Sequence, residues 1–199
     1  MGRRKTVSDA DLLATAREAF VKLGSAASTR EIARRAGVSE AVLFQRFSSK
    51  AELFFAAMVP PAVDVEAVLA APGGAGARER IEEIALRLMA YFRALVTVLL
   101  PAATHPSFDF EDFAHRHPDN PLPRLRDGLT RYFAAERDRG AIVAENPGAA
   151  ALTLFAALHS LAFFERLGAH GGDFGEAAVR GIVGCLWTGL EPRNSPSSR

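Results

Sequence analysis

The 199-residue sequence predicts an all-α fold, a group of short N-terminal helices followed by a larger domain of long ones. Two observations predict it. Apolar residues recur at three-to-four spacing in almost every segment, and no segment shows a convincing alternation of period two, the mark of a half-buried strand. Capping residues, serine in the first quarter and asparagine later, stand directly before those stripes.

Ser8-Asp9-Ala10-Asp11 opens the first helix, in which Leu12, Ala16, Phe20 and Leu23 recur at helical spacing until Gly24 stops them. Ser28-Thr29-Arg30-Glu31 is a Ser-x-x-Glu capping box. It opens a two-turn helix carrying Ile32, Ala33 and Ala36, and ends at Gly37, whose missing Cβ permits a left-handed turn. Ser39 caps a third short helix, Glu40 to about Phe47, that buries Leu43 and Phe47. Ser49-Lys50-Ala51-Glu52 opens a fourth, through Leu53, Phe54, Phe55 and Met58 to Pro60-Pro61. After the loop composition of Ala71 to Gly76 the helices lengthen. Ile81, Ile84, Leu88, Phe92, Val96 and Leu99 form one stripe up to Pro101. Asn120-Pro121 and Asn146-Pro147 open two more helices, the first closed by Arg137, Arg139 and Gly140, the second running to about Leu167. A last helix spans about Phe174 to Leu190, and residues 191–199 read as a disordered tail. The expected domains are 1–54 and 55–190.

Charge separates along the chain. Residues 1–50 hold ten basic and five acidic side chains, a net +5, while the remaining 149 hold 14 basic and 18 acidic, a net −4. The near-neutral total of +1 therefore conceals a quarter of the chain that attracts phosphate, joined to a body that repels it. The 16-residue apolar stretch Ala149 to Phe164 is shorter than the roughly 20 residues of a membrane span and reads as a buried helix. The basic N-terminus runs into Ser8-Asp9 rather than an apolar segment, so no signal peptide, no membrane partner and a cytoplasmic location are expected. The single cysteine, Cys185, closes no intrachain disulfide and reads as a small buried hydrophobe.

Two short helices joined by a glycine-containing turn inside the basic quarter form a helix-turn-helix, whose second helix enters the major groove. Burial of Leu43 and Phe47 leaves Glu40, Ala41, Phe44, Gln45 and Arg46 outward. Gln45 suits adenine, Arg30 guanine and Glu40 the cytosine amine, while Ala41 can meet a thymine methyl. Arg46 and Lys50 are placed for phosphates, and Arg3, Arg4 and Lys5 for a phosphate or minor-groove arm. The run from Ser28 to Lys50, STREIARRAGVSEAVLFQRFSSK, resembles the DNA-binding signature of the TetR family of bacterial regulators, and with the first helix the resemblance covers about residues 8–54. The resemblance implies a dimeric, all-helical repressor whose variable C-terminal domain binds a small ligand and dimerises through its last two helices. It implies that Arg30, Glu40, Ala41 and Gln45 approach bases and that Val42, Phe44, Arg46 and Lys50 approach phosphates. Phe44 and Val42 depart from the usual Tyr and Thr, which removes two hydroxyls from the phosphate contacts.

In the C-terminal part, Leu152, Leu154, Phe155, Leu158, Leu161, Phe163 and Phe164, with Val179, Ile182, Val183, Leu186, Trp187 and Leu190, are apolar on more than one face of their helices. That excess predicts a homodimer through a four-helix interface and a palindromic DNA site with recognition helices about 34 Å apart. Tyr91, His105, Phe108, Phe155 and His159 are the expected lining of a pocket for an apolar or aromatic effector. Asp109, Glu111, Asp112, His115 and His117 lack metal-site spacing and read as solvated loop residues, so no metal or cofactor is expected. No catalytic pair, phosphate loop or nucleophile elbow is present, and an enzyme is not expected. The alternatives are an activator or ligand-independent regulator of the same kind and, more remotely, an all-helical enzyme.

Overall fold

The computed structural model describes residues 7–60, 62–70, 76–116, 118, 120–169 and 171–190, all of them helix, turn or connection with no strand among the described residues. The helices are α1 (Asp9–Leu23), α2 (Thr29–Ala36), α3 (Glu40–Arg46), α4 (Lys50–Ala57), α5 (Val65–Leu69), α6 (Ala77–Ala103), α7 (Phe110–Arg116), α8 (Pro121–Asp138), α9 (Pro147–Leu167) and α10 (Glu176–Leu190). They fall into two compact units, Met1–Pro61 with Thr97–His117, and Ala62–Val96 with Pro118–Arg199. The tail 191–199 and the arm Arg3, Arg4 and Lys5 lie outside the described residues.

The capping residues act where the sequence places them. Ser8, Ser28, Ser39 and Ser49 each accept a hydrogen bond from the main-chain N–H three residues on, at 3.1, 3.4, 3.2 and 3.1 Å. Asn120 accepts from the N–H of Leu122, two residues on, at 3.1 Å, and Asn146 from that of Ala149, three residues on, at 3.0 Å. The Ser28 box is only half made, because Glu31 turns instead to Arg34, which donates from Nε at 2.7 Å and Nη2 at 2.6 Å. A charged, forked donor one turn away outcompetes a neutral N–H. Gly37 sits at φ +75° and its N–H reaches back to the carbonyls of Ala33 and Arg34, ending α2 in a left-handed turn.

The first unit is held by one apolar cluster. Leu12 and Phe20 of α1, Ile32 of α2, Leu43 of α3 and Leu53 of α4 are fully buried, and Phe20 meets Phe54 edge-on at 5.0 Å. Each such burial contributes about 2 kcal/mol. Val98 and Ala102, from the end of α6, belong to the same cluster.

In the second unit three arginine–glutamate links join α6 to its neighbours. Arg80 pairs with Glu136 of α8 at 2.7 Å, Arg93 with Glu165 of α9 at 2.8 Å, and Arg180 of α10 with Glu82 at 2.7 Å. Burial alone would raise the Glu136 carboxyl, but the Arg80 guanidinium foremost outweighs it and holds it below the usual carboxylate range. Between these links Leu88, Phe92, Leu129, Phe133, Leu154 and Leu158 form the apolar interior. Gly128 lets α5 lie close on α8, since a Cβ there would collide with Leu69 Cδ1.

Four expectations are corrected. Residues 110–116 are helix α7 rather than loop, because Asp109 Oδ1 accepts from Asp112 N–H at 2.8 Å and caps it; His117 lies outside the described residues. The long stripe does not stop at Pro101, which sits within the last turn of α6, where the missing N–H forfeits one bond near a helix end. The segment 65–69, given no element from sequence, is helix α5 with Asp64 as its cap. Cys185 is exposed, not buried. It stands two residues, about 200° of helical rotation, from the buried Val183.

By length and composition α6 and α9 could each cross a membrane. Half of the apolar window of α6 is buried within the fold, but only 28% of that of α9.

Replacing Gly37 by Ala tests the turn. Nothing lies within 4 Å of a Cβ built there, so the cost is purely conformational. Thermal or denaturant unfolding should show a loss of about 1 kcal/mol for Gly37→Ala, and a smaller one for Gly37→Asn, whose side chain tolerates the left-handed region.

Candidate nucleic-acid interface

The recognition candidate, α3, is seven residues long, and its neighbours define its position. Ser39 caps its start, and Thr29 Oγ1, at the first residue of α2, donates to Glu40 Oε1, at the first residue of α3, at 2.6 Å. Together with the Gly37 turn this fixes both helix starts relative to each other. Leu43 is fully buried and Phe47 is 8% exposed, so the helix lies with that edge on the first-unit core.

The opposite face points to solvent. Ala41, Phe44 and Gln45 are exposed on α3, and Arg30 is exposed on α2. Among the described residues, Arg30 and Gln45 have no side-chain hydrogen-bond partner, so their donors and acceptors are available to a base edge. Phe44 leaves 40% of its surface in water, an apolar ring beside these polar ends.

The other expected DNA residues have partners within the protein. Glu40 is bonded to Thr29 as above. Lys50 Nζ donates to the Ser25 carbonyl at 2.6 Å, and Arg46 Nη1 donates to the Val7 carbonyl at 2.8 Å and to Asp9 Oδ1 at 2.9 Å. Two further arginines form surface pairs, Arg34 with Glu31 and Arg35 with Glu18. The Arg34 partner holds the Glu31 carboxyl below its ordinary range. Exposed pairs of this kind contribute under about 1 kcal/mol and are screened by salt, so a phosphate can displace them.

Sequence reading missed the long-range anchors. Arg17 of α1 donates to the carbonyls of Ala57 and Val59, at 2.8 and 3.3 Å, across 40 residues of chain. No local pattern announces that contact; the only signal is an arginine one residue after the buried Ala16.

The five expected effector residues divide between the units. In the second, the fully buried Phe92 has three ring neighbours, Tyr91 at 5.9 Å, Phe155 at 4.9 Å and His159 at 5.4 Å. Among the described residues the buried Tyr91 hydroxyl has no hydrogen-bond partner, and burial pushes its pKa up to about 12, so it stays a protonated donor. Burial also lowers the His159 pKa, keeping the imidazole neutral near pH 7. In the first unit, His105 stacks on Phe54 at 4.8 Å and lines a cavity of about 230 Å³ with Phe20, Ser25, Lys50 and Ala51. Phe108 lines another of about 200 Å³ with Phe55, Phe113 and the carboxylates Glu52, Asp109 and Asp112.

Because protonating His159 costs more in the folded chain than in the unfolded one, its contribution to stability is full above about pH 6.5 and is lost as pH falls below that value. Unfolding measured at pH 7.5 and 5.5 should show a decline on acidification that is smaller in His159→Gln.

The family profile described as "Bacterial regulatory proteins, tetR family" matches residues 12–57, the span of α1 to α4. No curated protein matches the chain. Among solved structures, a transcriptional regulator of the TetR/AcrR family from Thermobifida fusca superposes with a TM-score of 0.63 at 21% identity, over 92% of this chain and 98% of the other. NalD of Pseudomonas aeruginosa, the secondary repressor of the MexAB-OprM multidrug efflux pump, gives 0.62 at 18% identity, over 92% and 95%. FadR of Bacillus subtilis, in complex with stearoyl-CoA, gives 0.59 at 14% identity, over 92% and 99%.

Proposed function

We infer that this chain, which belongs to the TetR family of bacterial regulators through its DNA-binding domain, is a homodimeric repressor that leaves a palindromic operator when a small effector binds. The observation that carries the reading is the solvent face of α2 and α3. Arg30, Ala41, Phe44 and Gln45 stand exposed on a basic quarter of the chain, on helices whose turn and caps leave them one orientation. Gln45 and Arg30 read bases, and Ala41 and Phe44 supply apolar contact to thymine methyls. Phosphate attraction comes from the surrounding basic residues, whose surface pairs are weak enough to exchange. Such a protein acts in the cytoplasm, where a bacterial chromosome lies. The efflux-pump role of NalD favours repression as the sign of regulation.

Dimerisation is supported by α9. Leu152, Ala156, Ser160, Phe163 and Leu167 fall within about 80° of one another around its axis, and Leu152 and Leu167 are each 54% exposed. An apolar stripe with small residues at its middle lets a second helix approach closely, and the excess apolar surface on α9 is what a two-fold partner would bury. Two copies would set the recognition helices about 34 Å apart, one turn of DNA.

The effector reading rests on Tyr91. A buried hydroxyl without a partner costs about 1–3 kcal/mol, which an apolar ligand carrying a hydrogen-bond acceptor would recover. Phe92 beside it carries the aromatic cluster on to Phe155 and the neutral His159. Such a ligand shifts the population toward a conformer that no longer matches two successive major grooves. Moving it from 1:99 to 99:1 takes about 5.5 kcal/mol of differential affinity, shared between two sites.

Two measurements test this. Against randomised duplexes, Gln45→Ala and Arg30→Ala should each relax the preference at one base-pair position per half-site, at about 1–3 kcal/mol, with folding intact. Unaltered preference in both variants would overturn the reading. Light scattering should find a dimer in the wild type and a monomer in Ala156→Arg, which puts a charge at the centre of the stripe; a monomeric wild type would overturn the dimer.

A further inference from the structure

The first unit holds a cavity of about 200 Å³, walled by Glu52 and Phe55 of α4 and by Phe108, Asp109, Asp112 and Phe113 around the start of α7. All six residues belong to the compact unit that also contains α1 to α3, whereas Tyr91 and its ring neighbours belong to the other. Two kinds of group face this space. Phe55, Phe108 and Phe113 are half-buried, and the Phe108 ring lies 6.3 Å from Phe55 and 5.4 Å from Phe113, so three ring surfaces border one cavity. Beside them stand three exposed carboxylates, and among the described residues lining the cavity none is basic.

Local bonds set these groups in place without consuming them. Glu52 accepts from the Ser48 N–H at 2.7 Å, and Asp109 Oδ1 accepts from the Asp112 N–H at 2.8 Å. The Ser107 N–H donates to His105 Nδ1 at 3.1 Å, which shapes the turn that presents Phe108. An ionised carboxylate offers about four acceptor positions, so one that caps a helix remains charged and can accept from a ligand as well.

The lining selects a chemistry. A neutral apolar molecule would gain from the rings but would strip water from the carboxylates and return nothing to them. An anion would be repelled. A cation on an aromatic body answers both kinds of group, because ring faces attract positive charge and an ammonium donates charge-assisted hydrogen bonds to carboxylates. Drug-sized ligands occupy roughly 300–1,000 Å³, so a cavity of this size suits one ring with a short ammonium arm.

We propose that the cavity between α4 and the start of α7 is a binding site for a small aromatic ammonium compound, its ring among Phe55, Phe108 and Phe113 and its cation against Asp109, Asp112 and Glu52. This site is distinct from the effector cluster around Tyr91, and it stands whether or not the protein is a repressor.

The test is calorimetric titration of the full-length protein near neutral pH with 2-phenylethylammonium, its neutral counterpart 2-phenylethanol, and the anion phenylacetate. The ammonium should bind at one site per chain, the alcohol about tenfold more weakly, and phenylacetate without measurable affinity. Asp109→Asn/Asp112→Asn, in which asparagine keeps the cap of α7, should weaken the ammonium about tenfold and leave the alcohol unchanged. Phe108→Leu should weaken the ammonium about threefold. Phe113→Leu replaces it if circular dichroism shows that variant unfolded. Equal affinity for ammonium and alcohol, absence of saturable binding, or ammonium binding untouched by the aspartate changes would overturn the proposal. A loss in Tyr91→Phe with none in the aspartate variant would assign the probe to the second unit and overturn it as well.

Discussion

A helix of seven residues does not hold together in water, because the nucleus costs more than so few hydrogen bonds return. The proposed reading of DNA rests on a helix of that length. Its start is capped by Ser39 and tied through Glu40 to Thr29, its approach is set by the left-handed Gly37, and its inner edge is fixed by the burial of Leu43 and Phe47. Each contact contributes about 1–2 kcal/mol. Together they give Ala41, Phe44 and Gln45 a single orientation before any DNA arrives, so binding does not also have to order the helix.

The same economy appears in how charge is handled. In the first unit, Arg34 with Glu31 and Arg35 with Glu18 make exposed pairs, and these exchange readily for phosphate. In the second unit the carboxylates Glu136, Glu165 and Glu82 are largely covered and each is answered by arginine. Breaking a covered pair leaves a buried charge without compensation, which costs far more than breaking a surface pair. The net +5 and −4 of the two stretches of sequence thus correspond to two uses of arginine, one available to a ligand and one committed to joining helices.

Local chemistry was legible in the sequence and distant chemistry was not. Ser8, Ser28, Ser39, Ser49, Asn120 and Asn146 announce helices because a cap acts within three residues, and all six make the expected bond. Asp64 and Asp109 are caps of the same kind, overlooked because the helices they open are too short to show an apolar stripe. Cys185 was misplaced because an apolar stretch shows which residues favour burial, not which face is left over once Val179, Val183 and Leu190 have taken the interior. The anchors from Arg17 to Ala57, Lys50 to Ser25 and Arg46 to Val7 join residues 25 to 40 positions apart and end on main-chain oxygens, which every residue possesses. The candidate base-reading side chains could be named in advance, but the contacts that hold their frame could not.

The central claim is sequence-selective reading of DNA by two copies of α3. It is tested most directly by selecting from a pool of random duplexes with the wild-type protein and sequencing what is retained. The account predicts enrichment of an inverted repeat whose half-sites are centred about one helical turn apart, or a related spacing. Retention of duplexes with no common sequence, or of a single unrepeated site, would contradict it.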